Sequence, residues 1–143
     1  MEGAMSEVVV YVVGSVPVAE EAGTLNLVRE AFPGEEIEFC QCPVSRRAVA
    51  PSAIVSSAIG QQANYILVCE VFTEVVALQE LIPLAEAAQG AREDSGERFK
   101  PLVLAPIRRG EELVLARIIY CGAVGWVLRF YEKREDTGDD WNM

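Results

Sequence analysis

Glu111-Glu112-Leu113-Val114-Leu115-Ala116-Arg117-Ile118-Ile119-Tyr120-Cys121-Gly122-Ala123-Val124-Gly125-Trp126-Val127-Leu128-Arg129-Phe130 is the stretch on which the fold turns. Two acids open it, an apolar run follows, and Gly122 stands just after Cys121. Carboxylates favour the positive end of a helix, and glycine favours the left-handed residue that closes one. The stretch therefore predicts a helix over Glu111 to Cys121 and a short strand at Trp126-Val127-Leu128. A helix at this place would make every strand after the first follow a helix, and strands that alternate with helices form parallel sheets through right-handed crossovers.

Working outward, Leu102 to Ala105 reads as a strand ended by Pro106. Ala77 to Gln89 reads as a helix kinked at Pro83, and Gly90 to Lys100 as a polar loop. Tyr65 to Cys69 is a short apolar strand, and Pro51 to Gln62 a helix rich in small residues. Ile37 to Val44 reads as a strand that Pro43 places at an edge or ends early. Ala19 to Phe32 has helical spacing at Ala22, Leu25, Val28 and Phe32, and Pro33-Gly34 stops it. Val8 to Val13 is a continuous β-branched run, the signature of a strand buried on both faces. The expected architecture is an α/β three-layer sandwich, a flavodoxin-like five-stranded parallel sheet of order 2-1-3-4-5.

The 143 residues predict one domain, 1–143, with 1–6 and 132–143 frayed, although Trp141 is placed to dock. Twelve Lys and Arg against 22 Asp and Glu give a net charge of -10. That balance excludes nucleic acid as a partner, because backbone affinity comes from cations at phosphates. There is no histidine, which removes the commonest acid-base group and the commonest metal ligand. Cys40, Cys42, Cys69 and Cys121 are expected to be small buried hydrophobes, with Cys40 and Cys42 on one strand face. No metal and no cofactor is expected, since no second cysteine pair or histidine completes a zinc set. With no secretory signal and no apolar run near the length of a bilayer span, the chain reads as cytoplasmic, with no membrane partner.

Read as helix then strand, Glu111 to Phe130 resembles the end of the receiver domains of two-component response regulators. Cys121-Gly122-Ala123 stands for their small-residue turn, Trp126 for their aromatic, and Arg129-Phe130 for their Lys-Pro. The order of elements from Val8 to Arg129 fits the same family. The resemblance implies an acidic pair after the first strand, where Gly14 and Ser15 stand. It implies an Asp acceptor after the third, where Cys69 and Glu70 stand, and a Ser or Thr after the fourth, where Ala105-Pro106 stand. Phosphoryl transfer needs a metal and positioned charge, so the chain resembles a degenerate pseudo-receiver: a non-catalytic signalling module, with Glu70 as a fixed charge facing Arg129. A receiver's fifth helix has no counterpart in the charged tail, which leaves an apolar face for a protein partner or a homodimer. Tyr120, Trp126 and Arg129 are the expected contact residues.

Arg46-Arg47 follow the second strand, and Arg108-Arg109 follow the fourth. Ligands of parallel sheets bind beyond the carboxyl ends of the strands. The alternative expectation is thus a small-molecule or nucleotide binding domain that holds an anion on these four arginines. A third, enzymatic reading uses Cys69 or Glu70, but nothing in the sequence supplies the depressed pKa that a nucleophilic Cys69 needs, and neither the Gly-x-Gly-x-x-Gly nor the Walker pattern is present.

Overall fold

The computed structural model describes residues 7–42, 45–95 and 101–131, without the side chains of 92–95. The expectations of frayed ends at 1–6 and 132–143, of a docked Trp141, of an absent fifth helix and of a break at Pro43 lie outside these residues.

The chain runs β1 (Glu7–Val13), α1 (Val16–Ala22), α2 (Thr24–Ala31), β2 (Glu36–Gln41), a 3₁₀ turn (Arg46–Ala48) and α3 (Pro51–Gly60). It continues through β3 (Tyr65–Val68), α4 (Glu74–Ser95), β4 (Leu102–Arg109), β5 (Glu112–Cys121) and β6 (Gly125–Phe130). The six strands form one sheet of order β2-β1-β3-β4-β5-β6. The first four are parallel, and β4, β5 and β6 form an antiparallel meander.

The expected all-parallel five-stranded sheet is therefore corrected. The predicted helix Glu111–Cys121 is β5, and the predicted fifth strand is the sixth. Two turns explain this. Arg109 pairs with Glu112 across the two-residue loop Gly110-Glu111, and Gly110 has φ +65. A left-handed glycine in the first loop position is the mark of a type II′ hairpin, whose twist matches that of the strands. At the far end Val124 N donates to Cys121 O at 3.0 Å, and Gly125 follows with φ +91. The apolar run between the turns is buried from both sides. Leu115 joins one core, and Ala116 and Ile118 join the other.

Those two cores make three layers. On one face Val10, Val12, Leu67, Leu104 and Leu115 pack under Leu25 and Val28 of α2. On the other, Tyr11, Ile66, Val103, Ala105 and Ile118 pack under α3 and α4, which contribute Ile54, Val55, Leu81 and Leu84.

Three further boundaries differ from expectation. The first helix is two helices, broken at Gly23, whose φ of +86 closes α1. Pro83 lies inside α4, which continues through Gly90 to Ser95. Proline has no N–H and crowds the preceding turn, but Pro83 is on the exposed side of the helix. Finally, β4 does not end at Ala105. Arg108 N donates to Phe72 O at 2.8 Å, and Phe72 N donates to Pro106 O at 3.4 Å. The amides of 106 and 108 thus face the β3 side, beyond the end of β3. A proline there costs no bond of the β4–β5 ladder.

Candidate functional site

Two places gather the expected residues. The first is the carboxyl edge of the parallel strands, at the point where the chain leaves β1 for one side of the sheet and β3 for the other. Gly14 follows β1, and Ser15 caps α1 by accepting from Val18 N at 3.3 Å. Cys69 and Glu70 follow β3. Gly14 has φ +138, and a Cβ built on it lies 3.2 Å from the Cβ of Cys69. Any side chain at 14 would press on Cys69, so this crevice is closed by backbone and a thiol.

Glu70 reaches away from it. Its Oε1 accepts from Arg46 Nε at 2.7 Å, and its Oε2 accepts from Arg47 Nη2 at 3.0 Å. Arg46 also bonds Glu80 on α4 at 3.2 Å and lies over the ring of Phe72. Burial pushes the Glu70 carboxyl up, but hydrogen bonds from Arg46 and Arg47 outweigh it and hold the pKa below its ordinary 4.5. This corrects the expected pairing of Glu70 with Arg129. Arg129 is the exposed residue of β6, two strands beyond β4, and pairs in register with Arg117.

The four arginines share the carboxyl edge but do not converge. Arg46 and Arg47 meet on Glu70. Arg109 bonds Glu74 at 3.2 Å and lies 4.2 Å from the centre of the Phe130 ring. Arg108 alternates with Arg109 along β4 and so points to the opposite face. A soluble anion at Arg46 and Arg47 would have to displace a carboxylate that the chain already supplies.

Cys69 is half-buried, and burial pushes its thiol up to about 11. A thiol so protonated at neutral pH is a poor nucleophile. Ala105 is buried within β4 and Pro106 lies just beyond the end of β3, and neither side chain carries a hydroxyl or a charge. Among the described residues no group of three His, Cys, Asp or Glu side chains is arranged to hold a metal, and no helix is long and apolar enough to cross a membrane. The cysteines are free, and the expectation that all four are buried is corrected: only Cys42 is buried, Cys40 and Cys69 are partly covered, and Cys121 is exposed at the last turn.

The second place is the other end of the sheet, where β5 and β6 meet. Tyr120 and Trp126 are register partners with ring centroids 5.1 Å apart and planes at 67°. This edge-to-face geometry suits two ring quadrupoles. They border an open groove of about 330 Å³ whose walls include Ala85, Ala88, Leu102 and Ile118. Among the described residues no charged side chain lines it. Tyr120 is 55% exposed, and Val124 at the turn is 70% exposed. The expected contact residues are therefore divided. Tyr120 and Trp126 stand together on the α4 face, whereas Arg129 alternates to the other face. Sequence reading found both aromatics but placed Tyr120 on a helix; the groove itself had no signal, because its walls come from α4, β4 and β5.

Compared with protein-family models, with curated proteins and with solved structures, the chain matches none.

Proposed function

We propose that the chain is a non-catalytic interaction module that meets a protein partner with its β5–β6 end, Tyr120 and Trp126 supplying the contact. The observation that carries this reading is a groove beside two paired aromatic rings, one of them more than half exposed, with no charged wall among the described residues. Such anchors dominate protein interfaces because they bury much area with little loss of rotamer freedom. In this reading the parallel half is a receiver-like scaffold without phosphoryl chemistry, since Gly14, Ser15 and Cys69 stand where the acids would be. The rival reading, a small anion at the carboxyl edge, has Glu70 against it.

Panning a displayed peptide library on the chain tests the proposal. Apolar, aromatic-rich peptides should be enriched, and Tyr120→Asp should abolish their binding while leaving the melting temperature within a few degrees. Peptides that bind Tyr120→Asp equally well would overturn the reading, as would a library that yields no binder. Incubation with acetyl phosphate and Mg²⁺ should leave the mass unchanged; a stoichiometric adduct refutes the loss of phosphoryl chemistry.

A further inference from the structure

The two edges of the sheet are built differently. At the β2 edge, Glu36 and Glu38 stand beside Glu7 of β1. Glu38 raises the Glu7 pKa, first through a side-chain hydrogen bond and then through charge repulsion. Two copies of β2 set side by side would bring their Glu38 carboxylates opposite or diagonal to one another, which is how natural edges resist pairing. The β6 edge, Gly125-Trp126-Val127-Leu128-Arg129-Phe130, has no proline, no lysine and no acid. Among the described residues no strand pairs with its outer side.

The hydrogen-bond parity of β6 follows from one contact. Tyr131 N donates to Leu115 O at 2.9 Å. Antiparallel ladders alternate, so the backbone groups of 125, 127 and 129 also face β5. Those of Trp126, Leu128 and Phe130 face outward. The same three side chains lie on the α4 face, packed against the core beneath α3 and α4.

We infer that β6 pairs with β6 of a second copy of this chain, antiparallel and centred on Leu128. A two-fold axis normal to the sheet keeps each face continuous, so opposed residues must share a face. Centring on Leu128 satisfies this. It also puts all three outward-facing residues into hydrogen-bonded pairs: Trp126 with the other Phe130, Leu128 with its twin, and Phe130 with the other Trp126. Aromatic cross-strand pairs of this kind stabilise sheets. On the reverse face Val127 lies opposite Arg129 of the other copy, so the two arginines are kept apart. The contact is a strand edge, smaller than a standard interface, and the dimer dissociates on dilution.

The inference shares a hairpin with the groove but does not rest on peptide binding there. Sedimentation of the full chain over a concentration series tests it, with thermal melting as the control for folding. The wild type should shift from monomer to dimer. Val127→Lys sets lysine against Arg129 twice and should raise the dimer Kd about tenfold or more. Val127→Glu sets opposite charges there and should keep or tighten the dimer. A wild type that is monomeric throughout overturns the inference, and so does a dimer indifferent to Val127→Lys. If both variants dissociate, 127 lies against 127 and the register is wrong. A monomer that still binds peptides through Tyr120 overturns the dimer and leaves the groove standing.

Discussion

Glu70 and Cys69 are neighbours whose surroundings push them in opposite senses. Two guanidinium groups keep Glu70 ionised, whereas burial keeps the Cys69 thiol protonated up to about 11. Alkylation with iodoacetamide at pH 8, followed by mass mapping, should therefore modify exposed Cys121 well before Cys69; loss of Cys69 as early as Cys121 would contradict its burial. Glu70 gives a pH dependence whose sign is fixed. Its folded pKa lies below the ordinary 4.5, so its stabilising effect is present above that value and lost as pH falls through it toward the folded pKa. Its side chain is 43% exposed, and screening limits the effect to about 1 kcal/mol. Glu70→Gln should be less stable than the wild type by that amount at pH 7, with the difference vanishing in strong acid. Urea titrations at several pH values measure it, and a constant difference would show that the loss is one of packing. Arg46 and Arg47 were legible as a cationic pair, but Glu70 was not legible as their partner, because 24 and 23 residues separate them from it.

At the scale of elements, legibility follows how many structures a pattern allows. Val8 to Val13 and Tyr65 to Cys69 are short, β-branched and flanked by turn residues, so only a buried strand fits. Each was read to within a residue of β1 and β3. Leu113 to Tyr120 is apolar at every position but Arg117, and such a run satisfies a helix and a doubly buried strand equally. Acids before it and glycine after it favoured the helix. What decided the matter was Gly110, which terminates nothing and instead opens a hairpin. Gly110→Ala tests its role. At φ +65 a Cβ finds open space but an unfavourable backbone, so the variant should lose about 1 kcal/mol from conformation alone. A loss near zero would mean that the turn tolerates a side chain. Gly14→Ala adds contact with Cys69 to a φ of +138 and should cost more, about 1–3 kcal/mol. Chemical denaturation of both variants ranks them, and the reverse order would show that the crevice between β1 and β3 can open.

Across the whole molecule the sheet is two structures joined at β4. Strands β1, β3 and β4 are covered on both faces, and Val10, Val12, Ile66, Leu67, Leu104 and Ile107 are fully buried. Beyond β5 the cover thins, and among the described residues β6 has one partner instead of two. Amide exchange reports this gradient, because central amides open only with global unfolding and edge amides exchange directly. Residues of β1, β3 and β4 should therefore share the slowest rates. In β6 the pattern depends on the oligomer. In a monomer Val127 and Arg129 amides are bonded to β5 and exchange slowly, while those of Trp126, Leu128 and Phe130 face solvent and exchange fast. In a dimer centred on Leu128 all five are bonded. Nuclear magnetic resonance exchange on a dilution series should thus show 126, 128 and 130 losing protection together as the concentration falls, with 127 and 129 unchanged. If 126, 128 and 130 are fast at every concentration, β6 is a free edge and the sheet ends with this chain. If 127 and 129 lose protection in step with them, dilution is melting the hairpin and no interface is being opened.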